Sequence, residues 1–111
     1  MTFLYLNADR MGQGDEALGR KLLSTFLEKL AGSETRVDLV GCVNDAVFLT
    51  TREGAALEAL RRLASKGARI ASCGTCLDHH QLREKLLVGE VGNMDQTIQV
   101  FSMAEKVIAP C

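Results

Sequence analysis

The chain has no Trp, one Tyr, one Pro and no apolar run approaching the roughly 20 residues of a membrane-crossing helix. No Lys or Arg precedes the short apolar run Phe3 to Leu6, so neither an anchor nor an export signal is predicted and a cytoplasmic location is expected. Neither charge sign dominates. Thirteen Lys plus Arg against fourteen Asp plus Glu leave a formal net charge of −1. Without a basic run to follow a phosphate backbone, nucleic acid is not an expected partner, and nothing suggests a membrane surface. There is no Gly/Ser-rich linker, internal repeat or low-complexity tract, so the 111 residues are read as one domain, 1–111.

Cysteine is sparse for a disulfide-stapled scaffold but conspicuous for an intracellular protein: Cys42, Cys73, Cys76 and Cys111. A chain of this length buries roughly 65% of the surface exposed by its unfolded state, so stability does not require these thiols. They are read as reduced and chemically employed.

Strand and helix signals alternate along the chain. Phe3 to Asn7 reads as a buried strand, followed by the loop Ala8 to Gly14. From Asp15, a predicted N-cap, to Gly32 the period becomes helical, with Leu18, Leu22, Phe26 and Leu30 placed on the inner face beside Leu23 and Leu27. Arg36 to Gly41 is a second strand; Ala46 to Thr50 fits strand or turn. Thr50 with Glu53 suggests a capping box for a helix carrying Leu57, Leu60, Leu63 and Ala64 up to Gly67. Arg69 to Ser72 is a third strand and Asp78 to Leu86 a helix with Leu82 and Leu86 inward. Val88 to Asn93 is a fourth strand, Met94 to Ala104 a final helix and Lys106 to Ala109 a last strand. Strands joined by helical crossovers pair in parallel. The expected fold class is therefore α/β, a three-layer α/β/α sandwich with a parallel sheet of about five strands, in an order the sequence does not reveal.

Ligands of such sheets sit beyond the carboxyl edge, and the polar and reactive residues gather there. Cys73-Gly74-Thr75-Cys76, at a strand-to-helix turn, places two thiols within reach of each other. With Thr75 as a cap, Cys76 would lie in the first helical turn, where unpaired amides lower a thiol pKa. His79 and His80 would follow on the same face. These residues fit a persulfide carrier, a dithiol–disulfide pair or half of a metal site; the alternative is two small buried hydrophobes at a tight turn. Zinc would need Cys42 and a histidine as further ligands, and the second spaced ligand pair of structural zinc modules is missing. No metal and no cofactor is predicted.

Gly12-x-Gly14 lacks the third glycine of a dinucleotide fingerprint and the Gly-Lys-Ser/Thr of a P-loop, so it is expected to line a thiol site or to be structural. Asn44 and Asn93 end strands and are candidate amide donors, or simply turn formers. Cys42 is a possible third thiol of the site. Cys111, at the end of the sequence, is expected to be mobile and inert, and it does not form a prenylation box.

Four segments together resemble one family. Met11-Gly12-x-Gly14-Asp15-Glu16-x-Leu18-Gly19, Val43-Asn44, Cys73-Gly74-Thr75-Cys76-Leu77-Asp78 and Val88-Gly89-Glu90-Val91-x-Asn93-Met94 are similar to the C-terminal, DsrE-like domain of YedF proteins, known as sulfurtransferase-like selenium metabolism proteins. The resemblance spans nearly the whole chain. It implies a DsrE-like fold, a homo-oligomer and sulfur relayed on a cysteine persulfide. On electrostatic grounds Cys76 is the expected acceptor and Cys73 the resolving thiol, although the strand-end position of Cys73 keeps the reverse assignment open; Gly12, Gly14, Asn44, Asn93, His79 and His80 are substrate-binding candidates. YedF proteins also carry a TusA-like sulfur-carrier domain that these 111 residues do not supply, so a TusA-like carrier is an expected donor or acceptor partner. His79 and His80 stand where relatives have aromatic residues, and Asp45, Ala46 and Phe48 replace small residues and a Lys. These departures leave the substrate open. The competing expectations are a non-catalytic binding or assembly module, and a redox or zinc-binding dithiol switch.

Overall fold

A computed structural model describes all 111 residues. Five strands, β1 (Thr2–Leu6), β2 (Leu39–Cys42), β3 (Arg69–Cys73), β4 (Glu90–Gly92) and β5 (Lys106–Ile108), form one parallel sheet in the order β4-β3-β2-β1-β5. Four α-helices alternate with them: α1 (Glu16–Ala31), α2 (Ala55–Ser65), α3 (Gly74–His79) and α4 (Met94–Met103). The predicted α/β architecture and strand count are therefore observed. No helix is long and apolar enough to cross a membrane.

The two sheet faces are unequally covered. Leu4, Leu6, Val40, Cys42 and Ile70 on one face pack with Leu23, Leu27 and Ala31 of α1 and Ala59, Leu60 and Leu63 of α2 into the main core. On the other face α4 buries none of its residues. It is held by Phe101, whose ring meets Phe3 and Tyr5 edge-on at 5.0 and 4.9 Å between centroids. Met94, Ile98 and Met103 are 54%, 61% and 66% exposed, so the final helix exists where predicted but turns its apolar residues outward.

Several local expectations are corrected. The buried row of α1 is Gly19, Leu23, Leu27 and Ala31, while Leu18 and Leu22 are exposed. Gly19 decides the rotation. A Cβ there would meet Arg10 Cβ and Met11 O at 3.0 Å, so only this row lets the helix close on the loop after β1. Asp15 does cap α1, accepting from the Leu18 N–H at 2.8 Å. Ala46 to Thr50, which fit strand or turn by sequence, belong to a 3-10 helix over Asn44–Thr50. Thr50 forms no capping box: it is fully buried, with its hydroxyl bonded to Val47 O and to the Ser72 hydroxyl, and α2 starts after Gly54 without a side-chain cap. The helix expected over Asp78 to Leu86 begins earlier, at Gly74, and ends at His79, since Gln81 adopts φ +58. Leu82 and Leu86 are half-buried and flank a short 3-10 turn, Arg83–Lys85.

Candidate functional site

β3 delivers Cys73 to the carboxyl edge of the sheet, and the chain turns into α3 at the next residue. Cys73 itself is the N-cap, with φ −60 and ψ 122, so Thr75 lies inside the helix and caps nothing. Gly74 fits because a Cβ there would meet the Arg83 guanidinium at 2.8 Å and Val91 Cγ1 at 3.1 Å. That guanidinium in turn grips Asp78 through two hydrogen bonds of 2.7 and 2.9 Å, which fold the segment after α3 back onto the turn and hold the Asp78 carboxyl below its ordinary range.

The two thiols face different surroundings. Cys73 is buried and borders a cavity between the sheet and α4, whereas Cys76 is partly exposed. Cys76 Sγ accepts a hydrogen bond from the Asn44 backbone N–H at 3.0 Å. That N–H is aimed by the turn after β2, where Val43 N–H still pairs with Leu6 O and Asn44 then takes φ +52, a left-handed conformation that asparagine tolerates. The expected lowering of the Cys76 pKa is not observed. Burial pushes its thiol above the ordinary cysteine value, the Asn44 N–H opposes this, and the neighbouring Cys73 thiol adds to the rise. The physical reason is that the cost of burying a sulfur anion, together with the adjacent Cys73 thiol, exceeds what one backbone donor returns.

The histidines turn elsewhere. His80 lies 3.4 Å from Asp45 and its ring sits 4.5 Å from that of Phe48, with His79 at 5.0 Å; neither imidazole hydrogen-bonds a thiol. Cys42 points into the core on the opposite face, where burial, with a smaller contribution from nearby Cys111, pushes its thiol up to about 12. It does not join the Cys73–Cys76 pair. Cys111, expected to be mobile, is instead half-buried against the core, with its thiol 3.8 Å from Ala8 O. No group of three or more His, Cys, Asp or Glu residues is assembled to hold a metal ion, so the four ligands considered for zinc do not converge.

Gly12 and Gly14 are exposed in the loop after β1 and do not border the cavity. Asn93 does. Its side chain caps α4 by accepting from Gln96 N–H at 2.9 Å, which fixes the helix over the Cys73 end of the sheet. The cavity, about 260 Å³, also brings in Arg69, Glu90 and Gln96. Sequence reasoning did not select these residues. The available signal was the alternation Arg69, Ala71, Cys73, which places all three on one face of β3.

The sequence matches no family model and no curated protein. Two solved structures share its fold. The YchN protein of E. coli superposes with a TM-score of 0.69 at 24% identity, over 98% of this chain and 99% of that one. MTH1491 of Methanobacterium thermoautotrophicum, described as a protein of unknown function, superposes with a TM-score of 0.65 at 18% identity, over 98% and 97%. The chain has a DsrE/YchN-like fold. At these identities the likeness establishes the architecture alone; the YchN-like sheet places Cys73 and Cys76 at its carboxyl edge, where open α/β sheets bind ligands.

Proposed function

We propose that the protein handles persulfide sulfur, or its selenium analogue, in the reducing cytoplasm. Cys73 and Cys76 take up the atom, and Cys76 presents it to an acceptor such as a TusA-like carrier. The observation that carries this reading is the Asn44 N–H directed at Cys76 Sγ at 3.0 Å on a partly exposed thiol with a second thiol beside it. A backbone donor aimed at sulfur favours a sulfur anion there, and a thiolate is the attacking species in sulfur exchange. In the transfer a cysteine thiolate attacks the outer sulfur of a donor R–S–SH. The new protein S–S bond forms as the donor S–S bond breaks, and RS⁻ leaves and takes up a proton, so no external oxidant or reductant is consumed. The motif resemblance to YedF proteins supports the same reading and its selenium link.

The test is peptide mass spectrometry of the reduced protein after incubation with inorganic polysulfide. A gain of about 32 Da on the peptide carrying Cys73 and Cys76 is expected, and it should vanish in the Cys73→Ser, Cys76→Ser double variant. An adduct indifferent to both substitutions sinks the proposal.

Self-association belongs to the same reading. The outward apolar residues of α4, Met94, Ile98 and Met103, make a surface that a second copy would cover. Sedimentation is expected to show more than one copy per particle, and Ile98→Glu, at a 61% exposed position, to reduce it to a single chain with unchanged circular dichroism. A wild-type protein that sediments as one chain at tens of micromolar would remove this element.

A further inference from the structure

We infer that the cavity beneath α4 binds a short zwitterionic peptide persulfide, which loads Cys73 from within the protein before the sulfur moves to Cys76 at the surface. This rests on the persulfide reading above and adds to it the class of the small donor and its route.

The cavity is a groove with different chemistry at its two ends. Its floor is made where side chains are small or absent, by Ala71 on β3 and Gly92 beside it on β4, while the Phe3 ring covers Gly41 on β2. α4 runs back over this floor as a roof, as a crossover helix in a parallel sheet must. At the carboxyl end sits the buried Cys73 thiol, next to Asn93. At the amino end Arg69 and Glu90 form an ion pair at 2.5 Å, and their side chains are 73% and 55% exposed, so both charges are accessible. An ammonium and a carboxylate on one carbon, as at the γ-linked glutamyl end of a glutathione-type peptide, match that pair with opposite signs, carboxylate on Arg69 and ammonium on Glu90.

Length selects among zwitterionic thiols. Arg69 and Cys73 are four residues apart on one strand face, about 13 Å at the rise of a parallel strand. A single amino acid persulfide is far shorter than that. In an extended γ-glutamyl-cysteinyl peptide the glutamyl carboxylate and the outer persulfide sulfur are about 10 Å apart, and the Arg69 side chain closes the remainder. Between the ends, the Gln96 and Gln99 side chains on the roof have no protein partner and can pair with peptide N–H and C=O groups.

Two exchanges then follow. The Cys73 thiolate takes the outer sulfur of the peptide persulfide and releases the peptide thiolate, which is protonated. The Cys76 thiolate next attacks the outer sulfur of Cys73–S–SH, forming Cys76–S–SH and returning Cys73 as a thiolate. Each step breaks one S–S bond and makes one.

The experiment compares two donors on the intact protein: glutathione persulfide, which has the peptide zwitterion, and inorganic polysulfide, which lacks it. Arg69→Gln is expected to slow loading by glutathione persulfide about tenfold, the cost of one charge-assisted contact, and to leave loading by polysulfide within about twofold. Non-reactive S-methylglutathione should protect Cys73 from iodoacetamide in the wild type and lose that effect in the variant. Equal rates of both donors with both proteins, or no protection, overturns the groove assignment while the persulfide reading stands. No adduct on Cys73 or Cys76 from either donor overturns both.

Discussion

Gly89→Ala is expected to lower the free energy of unfolding by roughly 3–5 kcal/mol, combining the penalty of a left-handed backbone with that of overpacking. Gly89 has φ +77, and a Cβ built on it would lie 2.2 Å from Ile70 O and 2.8 Å from both Ile70 C and Ile70 Cβ. Those atoms are backbone and Cβ atoms of β3, so the contact cannot be relieved by rotating a side chain; β4 must move away from β3. Gly12→Ala supplies the comparison. Gly12 has φ +83 but nothing within 4 Å of its Cβ position, so it should lose only the backbone preference, about 1–2 kcal/mol. Urea unfolding with an unchanged slope would give both numbers, and two equal losses would show that the Ile70 contact costs nothing. Because domains of this size are stable by only about 5–15 kcal/mol, the Gly89 variant should be marginal at room temperature. Any remaining folded fraction should have lost the Arg69–Glu90 pair, since that bond joins the strands being forced apart.

Much of this fold was legible because it is written in side-chain periodicity. Alternating strand and helix patterns specified a parallel sheet, and Asp15 was recognisable as a cap because its carboxylate does the capping. The Cys73–Cys76 turn stood out for the same reason: reactive side chains at short spacing. What stayed hidden works through missing side chains or through the backbone. In α1 the row Leu18, Leu22, Phe26, Leu30 looks more apolar than Gly19, Leu23, Leu27, Ala31, yet the small ends of the second row allow close approach to the loop after β1. The cavity floor depends on the missing Cβ at Gly92, and hydrophobicity scales do not register a void. Asn44 was singled out for its side-chain amide, but its contribution is the main-chain N–H that meets Cys76. Strand order depends on long-range pairing and has no local signature, and the outward apolar face of α4 imitates a core face.

The second large effect is in the reactivity of Cys76 with pH. Alkylation of this thiol by iodoacetamide is expected to rise about tenfold per pH unit from pH 6 to pH 8 and to continue rising past pH 9, because only the thiolate reacts. The sign follows from the charged form being the disfavoured one: burial, then the adjacent Cys73 thiol, push ionisation above the ordinary cysteine value of 9.0, and the Asn44 N–H recovers only part of that. At pH 7 the thiol is then the resting form. In Cys73→Ala the contributions from Cys73 disappear while burial and the Asn44 N–H remain, so the whole profile should move to lower pH and Cys76 should react faster at pH 7 than in the wild type. A wild-type profile that levels off below pH 8 would overturn the raised ionisation, and a Cys73→Ala profile that does not move would separate the two thiols. The raised value has a chemical consequence for transfer. Thiolates of higher pKa are intrinsically stronger nucleophiles, so Cys76 rests protonated yet attacks efficiently once ionised, and a neighbouring persulfide on Cys73 places the sulfur to be attacked beside it.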